Sequence, residues 1–336
     1  MDTDITNRRT YIMSRKNKKN NPTIITDGTK RNTKFETLCL MTQEKLKKHV
    51  IEVLKWSGRE VMTDNGWVYS PGTIPVMICA HMDTVHKELP KTIIYKDGTI
   101  SSPEGIGGDD RCGVYMCLEI LKKLDCHVAF FEDEEIGGVG SSKFASSDVI
   151  KYIDVNYVIE LDRMHDRDAV FYDCANNDFI DMVCEKYWLE NFGSFTDICH
   201  ICEPLNVAGV NLSCGYYKQH TKDEYVYLDE MTASIRETIA LIERCNDRHF
   251  DYIRQSRSFG YYSGGLWRDY AQSNVEYGVY DFEQAYEFRY YTHFGEIITE
   301  IEYGISQEEA FMFFMMDHPD VCWNDILDYS PIEKYL

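Results

Sequence analysis

Five short stretches of the chain hold the residue types that metal-assisted hydrolysis needs. The first is Ala80-His81-Met82-Asp83. A neutral imidazole is a good zinc ligand, and a carboxylate two residues on can accept its other N–H and fix the tautomer. Alone, the pair is equally a satisfied structural histidine. The second is Gly107-Gly108-Asp109-Asp110. Glycines permit close backbone approach, and adjacent carboxylates repel unless a cation neutralises them. Either Asp could instead cap the helix that follows. No lysine-ended glycine loop is present, and two acids would repel a phosphate. The third is Phe131-Glu132-Asp133-Glu134-Glu135-Ile136-Gly137, four acids directly after an apolar segment. Two adjacent Glu could divide the work, one holding metal and one acting as general base. The ordinary alternative is a solvated charge run. The fourth, Val158-Ile159-Glu160-Leu161-Asp162-Arg163, ends a buried strand on an acid, or pairs Arg163 internally with Asp162 or Glu160. The fifth runs from Gly215 to Glu224 and places His220 between a strand and a helix. His86, His165 and His200 lack such company and read as structural.

The set in order is His, Asp, Glu-Glu, Asp, His. Oxygen and imidazole donors without thiolate suit zinc, cobalt or manganese. Two histidines and three carboxylates exceed one catalytic zinc, which takes three protein ligands and a water. They fit two metals sharing one carboxylate.

The surrounding elements place each stretch at the carboxyl end of a strand, where open α/β sheets bind ligands. Thr42 can cap a helix with Leu46, Val50, Val53 and Leu54 on one face. Asn65-Gly66 and Asp97-Gly98 mark hairpins. Residues 75–80, 127–131 and 157–161 are apolar runs typical of strands buried on both faces. Residues 168–174 and 207–214 read as further strands, and 110–124 and 228–245 as helices. The expected fold is a three-layer α/β/α domain with a mostly parallel mixed sheet, over residues 36–255. Residues 1–35 carry nine basic and three acidic residues with little apolar periodicity, and read as a disordered leader. Residues 256–336 carry fifteen acidic and four basic residues and eleven of the 24 Tyr. Ser306 to Glu309 is a capping box before an apolar run at 311–316, which suggests a small helical appendage.

Composition narrows the function. The 336 residues have a net charge of −21, which argues against partners that present phosphate, whether nucleic acid or anionic membrane. The twelve Cys lie in apolar segments and do not read as a disulfide framework, which suggests a reducing, cytoplasmic setting. The single CxxC at Cys199–Cys202 has no second pair and reads as core.

As an ordered group, the five motifs resemble the clan of co-catalytic zinc exopeptidases over roughly residues 40–245. That resemblance implies His81, Asp109 and Asp162 on one metal, and Asp109, Glu135 and His220 on a second, with Asp109 bridging. It implies Glu134 as general base, Asp83 as the carboxylate behind His81, and a cis peptide between Asp109 and Asp110. Only 28 residues separate His81 from Asp109 and 58 separate Asp162 from His220, so the chain is most similar to the compact single-domain aminopeptidases. The implied activity is hydrolysis of a peptide or small amide by an aminopeptidase with two divalent ions, zinc foremost. Asp197 and Asp110 are candidates for the substrate amine. Other readings are a carboxypeptidase or dipeptidase using Arg163, an amidase or deacylase, and a scaffold that keeps the fold without activity.

Overall fold

The computed structural model describes residues 22–253 except 173 and 194, together with 284–291, 297–304, 314 and 326–331. The chain opens on strand β1 (Thr23–Thr26) and helix α1 (Thr33–Cys39), whose cap is Asn32 Oδ1 accepting from the Phe35 N–H at 3.2 Å. Helix α2 (Gln43–Trp56) starts where Thr42 Oγ1 accepts from the Lys45 N–H, and it buries Leu46, Val50 and Leu54 at four-residue spacing. Strands β2 (Met62–Asp64) and β3 (Trp67–Ser70) form a hairpin whose turn needs Gly66 at φ +112°. Strand β4 (Ile74–His81) leads to the hairpin of β5 (Thr92–Lys96) and β6 (Thr99–Ser101).

Helix α3 (Gly108–Ile120), β7 (Cys126–Phe131), α4 (Val139–Ala145), β8 (Val158–Arg163) and β9 (Asp168–Val170) follow. Then come α5 (Asn177–Cys184), β10 (Leu189–Asn191), α6 (Ile198–Leu205), β11 (Gly209–Ser213), β12 (Tyr216–Tyr217), β13 (Tyr225–Tyr227) and α7 (Leu228–Cys245).

The main sheet has eight strands in the order β10-β9-β11-β8-β4-β7-β3-β2. Its centre, β11-β8-β4-β7, is parallel, and antiparallel pairs flank it. Alternation along β4 divides its side chains between two cores. Val76, Ile78 and Ala80 pack with α3 and α7 on one face. Met77 and Cys79 pack with Phe144 of α4 and with Ile198, Ile201 and Cys202 of α6 on the other. The layering expected from the continuous apolar runs is therefore present. A five-stranded sheet, β1-β5-β6-β13-β12, lies beside it. Among the described residues eleven cysteines are in no disulfide, and nine of them are buried.

Two expectations need correction. The segment expected to be a disordered leader is ordered from residue 22. Strand β1 pairs in parallel with β5 from Thr23–Thr92 to Thr26–Tyr95, and Phe35 is fully buried. Net charge hid a short Ile-Ile strand that its partner 69 residues away stabilises. In the acidic C-terminal segment the described residues are strands apart from Phe314, which is helical. The segment forms three antiparallel strands, β14 (Gln284–Tyr291), β15 (Ile297–Gly304) and β16 (Ile326–Pro331), in the order β15-β14-β16. The signal was period-two alternation: Tyr286, Phe288 and Tyr290 are buried on one face, and Phe288 stacks on Phe314 at 4.4 Å. The capping box and the rest of the 311–316 run lie outside the described residues.

Helix α3 sits unusually close to β8. A Cβ at Gly113 would lie 1.8 Å from the Leu161 carbonyl oxygen and 2.4 Å from Asp110 Oδ2. Gly113→Ala should therefore destabilise the domain by at least about 1–3 kcal/mol, the usual cost of overpacking. Urea denaturation against the unmodified protein measures it, and an unchanged midpoint would contradict this packing.

Candidate metal centre

The five stretches converge at one edge of the main sheet. Strand β4 ends on His81 and leads to Asp83, and the turn after β7 carries Glu134 and Glu135. Strand β8 supplies Asp162, the first turn of α3 supplies Asp109, and the loop between β12 and β13 supplies His220. The peptide between Asp109 and Asp110 is cis.

Ligand-type atoms form two groups, each with its atoms within 4.8 Å of one another: His81, Asp109 and Asp162, and Asp109, Glu135 and His220. His81 Nε2 lies 3.0 Å from Asp109 Oδ1 and 3.3 Å from Asp162 Oδ1. His220 Nε2 lies 3.3 Å from Asp109 Oδ2 and 3.0 Å from Glu135 Oε2. Asp109 thus gives one oxygen to each group. Glu134 belongs to neither, and its Oε2 stands 4.0 Å from His81 Nε2.

Buried groups hold these side chains. Asp83 Oδ1 pairs with His81 Nδ1 at 3.1 Å, which leaves Nε2 for a ligand position. The same carboxylate accepts the Glu134 and Glu135 N–H groups, each at 3.0 Å. Thr196 Oγ1 donates to Asp162 Oδ2 at 3.0 Å, and Asn211 brackets the Asp162 peptide at 2.9 and 3.0 Å. The two residues of the Asp pair face different ways. Asp109 faces the site, while Asp110 Oδ1 caps α3 by accepting from the Gly113 N–H at 2.7 Å.

The electrostatics follow from the crowding. Burial pushes the Asp109 carboxyl up, but His220 and His81 outweigh it and hold it well below the usual range. Burial opposes a charge on His220, yet Asp109 and Glu135 push its pKa up to about 12. Glu134 is raised well above the ordinary range by burial, then by Asp162, Asp197 and Glu135, against the pull of His81. Burial raises Glu135 as well. Its Oε1 is buried without a hydrogen-bond partner among the described residues. Such a concentration of buried oxygen and imidazole donors fits divalent cations of the zinc type, which neutralise the excess charge.

Sequence reading missed Glu224, which is wholly buried. Its Oε1 accepts the Asp109 N–H at 2.9 Å, and its Oε2 takes the Gly107 N–H and His86 Nε2, each at 2.8 Å. Only its place four residues after His220 hinted at a role. Asp110 and Asp197, expected as holders of a substrate amine, are both fully buried, and neither lines the cleft. Arg163 does not pair with Asp162 or Glu160; its Nε faces Asp168 Oδ2 at 3.5 Å. Among the histidines read as structural, His86 and His165 are held by carboxylates, at Glu224 and Asp168.

Comparison with known proteins agrees with this geometry. Residues 68–189 match the model of peptidase family M28, which supports a hydrolytic metallopeptidase. No curated protein sequence matches it. Among solved structures, it is similar to aminopeptidase PepT from Bacillus cereus ATCC 10987. That match has 15% identity and a TM-score of 0.51, and covers 63% of this chain and 96% of the other. It is also similar to aminopeptidase APDkam598 from Desulfurococcus kamchatkensis, with 17% identity, a TM-score of 0.49, and coverage of 63% and 94%. The Bacillus match shows the shared fold.

Two outcomes test the centre. Neighbouring carboxylates raise His81 and His220 against the effect of burial, so zinc binding at these imidazoles should release protons and weaken as pH falls. Calorimetry in buffers of different ionisation enthalpy measures this, and a binding heat independent of buffer would refute it. Glu224→Gln should weaken divalent-ion affinity and destabilise the domain by about 1.5–3 kcal/mol, the range for hydrogen bonds to a charged group. Metal titration and denaturation would show it, and wild-type values in both would remove the clamp role.

Proposed function

We propose that the domain is an aminopeptidase that works with two divalent ions, zinc foremost and cobalt or manganese as alternatives. His81, Asp109 and Asp162 would hold one ion, and Asp109, Glu135 and His220 the other. Such ions, when bound, lower the pKa of water toward roughly 7 and polarise a carbonyl. The carrying observation is the division between the two adjacent glutamates. Glu135 sits 3.0 Å from His220, while Glu134 lines the cleft outside both donor groups. Glu134 takes a proton from the attacking water and returns it to the leaving amine. Its pKa, raised by burial, suits a group that must take up a proton. Asp83 positions both His81 and the Glu134 backbone, so the base and the first donor group share one anchor.

The preference for N-termini rests on charge. Asp109, Glu134 and Asp162 line the cleft and suit a substrate ammonium. The thiols of the described residues, none of them in a disulfide, support a reducing, cytoplasmic setting. No helix of the described residues is long and apolar enough to cross a membrane.

The test is mass spectrometry of free, N-acetylated and C-amidated peptides after incubation with zinc-loaded protein. Stepwise loss from free N-termini alone is expected, and trimming of N-blocked peptides would replace this reading with a carboxypeptidase. Glu134→Ala should lose about 10²–10⁴-fold in kcat while keeping its metal. Glu135→Ala should lose metal by elemental analysis. Retained activity in the first, or full metal content in the second, would refute the corresponding role.

A further inference from the structure

The lining of the cleft divides by chemistry. Asp109, Glu134 and Asp162 bring carboxylates to it, whereas Arg163 brings a guanidinium, with Tyr172 and Gln219 also in the lining. Arg163 follows a proposed metal ligand directly in sequence, and its side chain is 13% exposed. Its Nε faces Asp168 Oδ2 at 3.5 Å, and Asp168 is itself fixed by Asn191 Nδ2 at 2.9 Å and His165 Nδ1 at 3.1 Å. The guanidinium is therefore held in place instead of swinging in solvent. Tyr172 is close enough to feel that charge, and a Cβ on Gly193 would sit 2.7 Å from its hydroxyl, so the ring is packed in position. Carboxylates and a fixed guanidinium in one cleft suit a ligand that carries both charges.

We infer that Arg163 receives a substrate carboxylate, so that the preferred substrate carries a free α-ammonium and a carboxylate a few bonds apart. This rests on the aminopeptidase reading and adds a substrate class to it. The carboxylate has two sources: the side chain of an N-terminal Glu or Asp, or the C-terminus of a dipeptide or tripeptide. Guanidinium–carboxylate hydrogen bonds are roughly twice as strong as neutral ones. A neutral, amidated substrate makes no such bond. If Arg163 served only as the internal partner of Asp168, neither source would matter.

Two substrate pairs separate the cases. In the first, pentapeptide amides begin with Glu or with Gln. In the second, Leu-Gly is set against Leu-Gly-amide. The unmodified protein should favour the carboxylate-bearing member of at least one pair by roughly tenfold or more in kcat/KM, mainly through KM. A preference in the first pair names the side chain as the source, and in the second the C-terminus. Arg163→Met should collapse the favoured ratio at least tenfold, and Arg163→Lys should restore part of it. Calorimetric binding of the favoured peptide to Glu134→Ala should show the same order without turnover. Ratios near one in both pairs overturn the inference and leave the aminopeptidase standing. A preference that survives Arg163→Met overturns it too. No cleavage of any free N-terminal peptide would instead overturn the aminopeptidase reading, and this inference with it.

Discussion

Asp109 shares its two carboxylate oxygens between two histidines, and the rest of the site is arranged around that sharing. A single buried carboxylate can serve two donor groups only if its backbone is fixed from behind. Glu224 supplies that by accepting the Gly107 and Asp109 N–H groups. Asp110 turns the other way, accepting from the His81 N–H at 3.3 Å and from the Gly113 N–H. Two neighbouring acids that would otherwise repel are thus spent in opposite directions. Gly113 has to lack a side chain because α3 must come close enough to β8 for Asp109 to stand beside Asp162.

Asp83 does the equivalent work on the other side. It is a carboxylate with three hydrogen-bonding duties: one histidine ring and two consecutive backbone N–H groups. Those N–H groups belong to Glu134 and Glu135, so the acid that sets the His81 tautomer also sets where the glutamates stand. Arg111, buried nearby, donates to the carbonyls of Met82 and Asp83 and so ties α3 to the end of β4. The donors are held through main-chain groups of elements that are themselves packed in the core. Such support keeps a donor constellation within the narrow tolerance that metal chemistry requires.

Much of this was legible in the sequence, for a physical reason. Apolar runs such as Val76–Ala80 are buried on both faces and leave little else for the chain to do. Acids and histidines directly after such runs therefore fall at one sheet edge. Helix α7 was equally readable from its periodicity. What was not legible depends on distance in sequence. Strand β1 forms because β5 pairs with it, and Glu224 matters because its carboxylate reaches Gly107, 117 residues away. The C-terminal strands were missed for a different reason. A capping box and a run of Phe and Met dominated the reading, while the Tyr286-Phe288-Tyr290 alternation was the stronger signal in the segment that the structure describes.

Consecutive glutamates divide their work because a turn sends their side chains to different partners. Glu135 meets His220, so a charged partner offsets part of its burial. Glu134 has only a distant histidine and lies in the field of Asp162 and Asp197. Behind it stand two wholly buried acids, Glu160 and Asp197. Burial pushes Asp197 up to about 7, and burial with the charge of Asp197 raises Glu160. None of these acids needs to touch a substrate to matter. Asp162 and Asp197 each make a negative charge on Glu134 more costly and a proton there more welcome. A general base must accept a proton and then give it back, so a carboxylate raised by its surroundings serves better than one left at its ordinary value. On the proposed function, the acid-rich edge of the sheet would do two things with one charge excess: hold cations, and tune the one glutamate that lies outside both donor groups.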